Sequence, residues 1–391
     1  MLWSPQQEAA LAAVSRWLRE KSAPFFYLAG YAGTGKTTLA THLVKEAGGN
    51  VMFASFTGKA AAVMRSKGCT EATTIHRLIY SPCSKGSGRL KELREQLDKA
   101  DNDPERIRLR REIHNEVDRL KRPHWLLNME SDLRYASLLV IDECSMVGTR
   151  MAEDLLSFKV PVLVLGDPAQ LPPVMGGGYF TQRKPDHMLT EVHRQAQDSG
   201  ILRLATLVRE GRALLHGNYG DARVISPRQV DPKEVLAFDQ ILAGRRATVW
   251  QKNVRARELL GRTSQLPQAG DRLMCLRNNH DLGLLNGEVW NTLDAQELDQ
   301  ATVGLTIENG DLMQNVTAWA MPFRGEELGM FDHDRDTQEF TYGYAMTTHK
   351  AQGSQWARVY VFDESHVFRQ DAAKHLYTAI TRAADELVVV R

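Results

Sequence analysis

The string Gly30-Tyr31-Ala32-Gly33-Thr34-Gly35-Lys36-Thr37 constrains this chain more than any other feature. It has the spacing GxxxxGK[ST], and it lies between an apolar run at Phe25–Ala29 and a helical pattern. Glycines at that spacing let backbone N–H groups turn inward on an anion, and the helix behind them adds its N-terminal partial charge. The loop needs a strand before it and a helix after it, so the motif calls for an α/β domain on a parallel sheet. On this pattern Lys36 reaches the β- and γ-phosphates of a nucleoside triphosphate, with ATP the expected ligand. The cradle runs over Gly30, Ala32, Gly33, Thr34 and Gly35 to Thr38, and the Thr37 hydroxyl takes Mg²⁺.

A second string supplies the partner carboxylates. In LLVIDECSMV a buried-type strand ends in Asp142-Glu143. Asp142 is the expected Mg²⁺ ligand, and Glu143 is placed to orient or deprotonate an attacking water. Neighbouring Cys144 reads as packing. Triphosphate binding alone leaves kinase, GTPase and motor open. The nearest string to a guanine-reading NKxD element, Gln251-Lys252-Asn253-Val254, lacks the aspartate, which disfavours a GTPase.

The organisation along the chain agrees with an α/β class. Candidate strands are Phe25–Ala29, Val51–Ser55, Ser137–Ile141 and Val162–Leu165, and a helix before the first places Ala9, Ala10, Ala13, Val14 and Trp17 on one face. From Lys85 to Lys121, leucine and isoleucine recur at helical spacing in a field of charge, broken at Asn102-Asp103-Pro104; two antiparallel helices fit. A second α/β pattern starts near Gly200, with strands expected at Ala247–Gln251, Tyr342–Met346, Val359–Phe362 and Leu387–Val390. Between Ala269 and Phe340 the turns crowd together (Asn278-Asn279, Asn286-Gly287, Asn309-Gly310), which suits a small inserted β-module. With 43% hydrophobic and 25% charged residues, the 391-residue chain has material for several cores and is no disordered or disulfide-scaffold protein. Cys69, Cys83, Cys144 and Cys275 show no metal-type pairing, and no apolar run approaches the roughly 20 residues of a membrane helix. The expectation is a soluble, cytoplasmic protein.

Several further strings, which fall along the chain in the family's order, resemble the motifs of superfamily 1 DNA helicases, closest to the RecD-like and Dda-like group, over nearly the whole chain. Ser4-Pro5-Gln6-Gln7 resembles the adenine-reading element, with Gln7 facing the base; it also reads as a capped helix start. FASFTGKAAAVM and TTIHRLIY resemble loops that hold a single strand, which makes Thr57, Lys59, Thr74 and His76 candidate contacts. VLVLGDPAQLPPV matches the motif whose glutamine, Gln170, senses the γ-phosphate. TEVHRQA and YTAITRAADELVVV match two arginine fingers, Arg194 and Arg382, one from each domain. TYGYAMTTHKAQGSQWARVYVF resembles the last coupling motif: Thr348, His349 and Lys350 would touch DNA, and Gln352-Gly353-Ser354, with Gly353 at the nucleotide, would link that contact to the nucleotide cleft. GDRLMCLRNNHDLGLLNGEVW resembles the opening of an inserted barrel of the Src-homology-3 type.

The resemblance implies two RecA-like motor domains, at 1–80 with 131–198 and at 199–268 with 341–391. A charged hairpin at 81–130 occupies the slot of a strand-separating pin, and an acidic β-barrel module lies at 269–340. The implied activity is ATP-driven, 5′-to-3′ translocation on single-stranded DNA with duplex unwinding at junctions, without sequence preference, by a monomer serving replication, recombination or repair. The hairpin departs from the pattern: no aromatic stands at its break, and the nearest are His114, His124 and Trp125. A single-stranded-DNA-dependent ATPase, or a nucleotide-gated DNA-binding protein without processive unwinding, is the second reading. Charge distinguishes neither. The formal total of +1 hides a −11 segment at 281–340 (2 basic, 13 acidic), which leaves +12 elsewhere, compatible with a phosphate track.

Overall fold

Three sheets organise the molecule, whose computed structural model describes residues 3–83, 88–100, 102–121, 124–172, 178–191, 198–279, 281–310, 312–326 and 336–391. The first sheet contains β1 (Phe25–Gly30), β2 (Val51–Ser55), β3 (Thr73–Thr74), β6 (Leu138–Asp142), β7 (Val162–Gly166) and β8 (His187–Leu189). Its order is β3-β2-β6-β7-β1-β8, and every pairing is parallel. Both faces are covered, so β1 is apolar throughout. Phe26 and Leu28 point to one core with Ala10, Val14 and Leu39; Phe25 and Tyr27 point to the other with Ile75, Leu155 and Phe180. The helices on these faces are α1 (Pro5–Glu20), α2 (Lys36–Ala47), α3 (Gly58–Ser66), α4 (Ile75–Ile79) and α7 (Thr149–Ser157). A large apolar side chain buried this way contributes roughly 1.5–3 kcal/mol.

Between α4 and β6 the chain leaves the sheet. β4 (Tyr80–Cys83) pairs antiparallel with β5 (His124–Leu127). Above them α5 (Gly88–Lys99) packs on α6 (Asp103–Lys121) through Leu93, Ala100, Leu109 and Ile113. The side chains of His114, His124 and Trp125 lie outside the described residues.

The second sheet contains β9 (Gly217–Asn218), β10 (Ala222–Ile225), β11 (Gln240–Ala243), β17 (Ala345–Thr347), β18 (Trp356–Phe362) and β19 (Ala383–Val390), in the order β17-β11-β18-β19-β10-β9. All but β9 run parallel. α8 (Gly200–Arg209) and α11 (Ala372–Ile380) cover one face, while α9 (Pro232–Ala237) and Phe238 lie on the other.

The expected strand at Ala247–Gln251 is instead the start of α10 (Arg246–Leu259). The true strand, β11, lies just before it. Glu364, at the far end of β18, accepts from the Gly244 and Arg245 N–H groups at 3.0 and 2.9 Å and from the Thr248 hydroxyl at 2.7 Å. That carboxylate, 116 residues from Thr248 in sequence, anchors the turn before α10 and places negative charge at the helix N-terminus. The expected single strand Tyr342–Met346 also divides. β16 (Phe340–Tyr342) belongs to the third sheet and β17 to the second, with the chain crossing at Gly343-Tyr344.

The third sheet is antiparallel, in the order β15-β14-β13-β12-β16, from β12 (Arg272–Cys275), β13 (Val289–Glu297), β14 (Thr302–Asn309) and β15 (Leu312–Trp319). Its core holds Trp290, Ile307, Phe323 and Phe340. Asp271, fully buried, fastens it to the second sheet's layer. Its carboxylate accepts from Arg257 Nε at 3.1 Å, Arg262 Nη1 at 2.6 Å and Tyr344 Oη at 2.8 Å. Removing one member of such a group strands the rest in low dielectric. Asp271→Ala is expected to destabilise the chain by about 3–5 kcal/mol, measured by urea unfolding.

Candidate functional site

The carboxyl edge of the first sheet gathers three loops, because β1, β7 and β6 end side by side in parallel. After β1 the loop turns through Gly33 and Gly35, at φ +76° and +79°, conformations that need glycine. Lys36 begins α2, and its Nζ donates to the carbonyls of Gly30 at 2.5 Å and Tyr31 at 3.0 Å. Thr37 Oγ1 donates to Asp142 Oδ2 at 3.3 Å, across the intervening β7. A hydroxyl and a carboxylate so placed are hard oxygen donors that fit Mg²⁺, which takes one or two carboxylates together with phosphate oxygens and water. Thr38 follows on the first turn of α2.

Glu143 stands with its backbone in the left-handed region, φ +55° and ψ +45°, and its N–H donates to Asp142 Oδ1 at 2.8 Å. Such a conformation costs a non-glycine residue free energy and aims the side chain away from the sheet. Burial raises the pKa of the Glu143 carboxyl above its ordinary value; Arg382 opposes that rise, and Asp142 adds to it. Gln170, in the loop after β7, completes the group. With its amide nitrogen toward Glu143, it donates to Oε2 at 3.1 Å, and its oxygen accepts from Arg382 Nη2 at 3.2 Å, the orientation its neighbours' chemistry requires. Arg382 follows α11 and is buried. Its Nε donates to the Thr378 carbonyl and its Nη1 to the Ser354 carbonyl, both at 3.1 Å, and Nη1 lies 3.9 Å from Glu143 Oε1. One amide thus joins a carboxylate of the first layer to a guanidinium of the second. Arg194 lies outside the described residues.

Two residues expected at the nucleotide make contacts within the protein. Gln7 is buried. Its Oε1 accepts from the Ser4 N–H at 3.0 Å in a capping box, and its Nε2 donates to the Thr34 carbonyl at 3.1 Å. One end of its amide therefore caps α1 and the other braces the phosphate loop. Gly353, at φ +74°, faces α3: a Cβ there would lie 2.8 Å from Thr57 Oγ1 and 3.1 Å from Ala60 Cβ. It is a close-approach position between the two layers, packed against the start of α3.

On the other side of Gln170 opens a channel of about 1960 Å³. Phe56, His76, Tyr80 and Arg150 line it from the first layer; Arg246, Trp250, His349, Lys350 and Phe368 line it from the second. Phe56, His76 and Tyr80 form a chain of ring contacts with centroids 5.8 and 5.7 Å apart. Phe368 stacks on His375 at 4.0 Å. Burial holds His76 and His349 below the usual histidine range, so both are neutral rings suited to stacking. Lys350 Nζ donates to Asn286 Oδ1 at 3.4 Å.

Among the other expected strand contacts, Thr348 is a correction. It is fully buried with its hydroxyl toward the Ala243 carbonyl, so it serves the sheet and is out of reach of a strand. Thr57 and Thr74 cap α3 and α4, accepting from Ala60 N and Arg77 N at 3.1 and 3.2 Å. Lys59 lies over the Trp356 ring at 5.5 Å, with its pKa pushed down to about 8 by burial against the partial compensation of Glu288. Cys69, Cys144 and Cys275 are free and buried; the side chain of Cys83 lies outside the described residues. Among the described residues no helix is long and apolar enough to cross a membrane. Residue-by-residue reading missed Phe56, Arg246, Trp250 and Phe368. Trp250 falls inside the expected strand Ala247–Gln251, whose alternation would not place it on the helix face that it occupies in α10.

Comparisons with known proteins follow this geometry. A family model described as "AAA domain" matches residues 3–226, and one for the UvrD-like helicase C-terminal domain matches residues 342–390. The ATP-dependent RecD2 DNA helicase of Deinococcus radiodurans is 28% identical over 92% of this chain, which spans 46% of that protein. The RecBCD subunit RecD of Mycolicibacterium smegmatis is 26% identical over 98% of this chain and 70% of its own length. Among solved structures, Pif1 helicase at forked double-stranded DNA superposes with a TM-score of 0.56 at 17% identity, covering 100% of this chain and 92% of that one. Pif1 from Bacteroides with ADP-AlF3 and single-stranded DNA gives 0.51 at 16% identity, with the same coverage. These likenesses bear out the resemblance to superfamily 1 proteins and the α/β, RecA-like fold. Lys36→Ala is expected to lower the ATP turnover rate by about 100-fold or more, with an unchanged melting temperature as the control for folding.

Proposed function

We propose that this chain, which belongs to the AAA-domain family, is an ATP-dependent DNA helicase that moves 5′ to 3′ on single-stranded DNA and separates duplex ahead of it. The Gln170 bridge carries the reading: one amide contacts Glu143 in the first motor layer and Arg382 in the second. The next residue, Leu171, lines the channel. Nucleotide chemistry and strand grip therefore share one loop.

In this reading Lys36 and the loop N–H groups hold the β- and γ-phosphates. Glu143 orients and deprotonates the attacking water. Arg382 meets the negative charge on the transferring phosphoryl group, which a permanently charged, bidentate guanidinium suits. Mg²⁺, when bound by Thr37 and Asp142, neutralises charge on the phosphate oxygens. The aromatic groups of both channel walls hold bases by stacking, which is tolerant of sequence. Grips on separate layers alternate as the cleft closes and reopens. We assign α5 and α6 as the strand-separating pin and the five-stranded sheet as a Src-homology-3-type barrel, within the limits 1–80 with 131–198, 81–130, 199–268 with 341–391, and 269–340.

The deciding assay is unwinding of 5′-tailed and 3′-tailed duplexes, with ATP hydrolysis followed in parallel. The expected result is hydrolysis stimulated by single strand and unwinding of the 5′-tailed substrate. Stimulated hydrolysis without unwinding of either substrate would favour the nucleotide-gated binding protein. Arg382→Ala is expected to lower kcat by about 10³-fold with little change in ATP binding.

A further inference from the structure

The contacts that hold the second motor layer against the first do not all pass through Arg382. Tyr377 and Thr378, adjacent on α11, both reach across the cleft, and both are buried. Tyr377 Oη accepts from the Ala32 N–H of the phosphate loop at 2.9 Å and donates to Asp167 Oδ2, at the end of β7, at 2.7 Å. Thr378 Oγ1 accepts from the Leu171 N–H at 2.9 Å. The Leu171 carbonyl is held in turn by Gln352 Nε2 at 2.9 Å, so the second layer grips both polar groups of that residue. Burial and the Asp167 carboxylate keep Tyr377 protonated, as its donation to Asp167 requires.

We propose that the Tyr377–Thr378 pair is the latch that closes the second motor layer on the first, with Tyr377 engaging the phosphate-loop end of the interface and Thr378 the channel end. The inference rests on the proposed function and adds two positioning residues to it. Tyr377 touches no reacting atom; it ties the loop that holds the phosphates to α11, the helix that Arg382 follows. When the hydroxyl engages Ala32 and Asp167 together, the spacing between phosphate loop and guanidinium is set. Thr378 performs the same task beside the channel, where Leu171 joins Gln170 to the strand wall. The two hydroxyls divide the closure, so their removal has different kinetic signatures.

Tyr377→Phe keeps the ring packing and deletes two hydrogen bonds. It is expected to lower the strand-stimulated kcat by about tenfold while leaving the KM for ATP near that of the wild type. Thr378→Val keeps the volume and leaves the Leu171 N–H without its partner. It is expected to lower the ratio of stimulated to unstimulated hydrolysis by about fivefold, and Thr378→Ser, which retains a hydroxyl, is expected to restore that ratio. Hydrolysis is measured with and without an oligothymidylate, and circular dichroism and melting temperature check the fold of each variant. A wild-type-like kcat and stimulation ratio in Tyr377→Phe and Thr378→Val, with the wild type itself stimulated, overturns the latch alone. A raised KM with unchanged kcat in Tyr377→Phe also overturns it, because the hydroxyl would then act in ATP binding. A wild-type chain whose hydrolysis ignores single strand overturns both the latch and the motor on which it rests.

Discussion

The Gln170 amide, placed between the Glu143 carboxylate and the Arg382 guanidinium, depends on a constraint set far earlier in the chain. A parallel sheet directs every strand's carboxyl end to one edge, so the phosphate loop, the Asp142-Glu143 pair and the loop carrying Gln170 meet there without any contact between them in sequence. Once β7 lies between β1 and β6, Thr37 and Asp142 come within hydrogen-bond distance across it. The strained backbone at Glu143 then turns its side chain toward the second layer. Charge does the rest. An uncompensated buried carboxylate is costly, and Arg382 and Gln170 supply its partners.

The third sheet is attached by the same rule applied elsewhere. Asp271, Arg257, Arg262 and Tyr344 form a buried group that satisfies itself at the junction of α10, β12 and the β16–β17 crossing. The loop before β13 then brings Leu285 against Gly58 at the start of α3, where a Cβ would lie 2.7 Å from Leu285 Cδ1. Gly353 approaches the same helix start from the second layer. Three bodies therefore meet at one turn of α3, and two of the contacts need a residue without a side chain.

Much of this was legible in residue order. Phe25–Ala29 reads as a doubly buried strand because both of its faces are apolar, and the glycines after it permit only a tight loop. The carboxylates of LLVIDE stand out because an apolar strand ends on two charges. The cases that were not legible share a cause. Ala247–Gln251 carries a β-branched pair, yet it opens α10, whose preceding turn is held by Glu364 from beyond the end of another strand. Thr348 sits beside His349 and Lys350 in one string, yet only the latter two line the channel, because the chain turns Thr348 in against Ala243. Gln7 has the hydrogen-bonding capacity to read a base and spends it on Ser4 and Thr34.

By itself the sequence determined the fold class, the phosphate loop, the paired carboxylates and the motif order, because each depends on residues a few positions apart, where backbone geometry links spacing directly to shape. Which side chains share the cleft and the channel was decided only by tertiary structure. Tyr377 reaches Ala32 across 345 positions and Asp167 across 210, and Gln352 reaches Leu171 across 181. No local propensity encodes such distances; they follow from the packing of the second layer on the first, which brings α11 of one against the loops of the other.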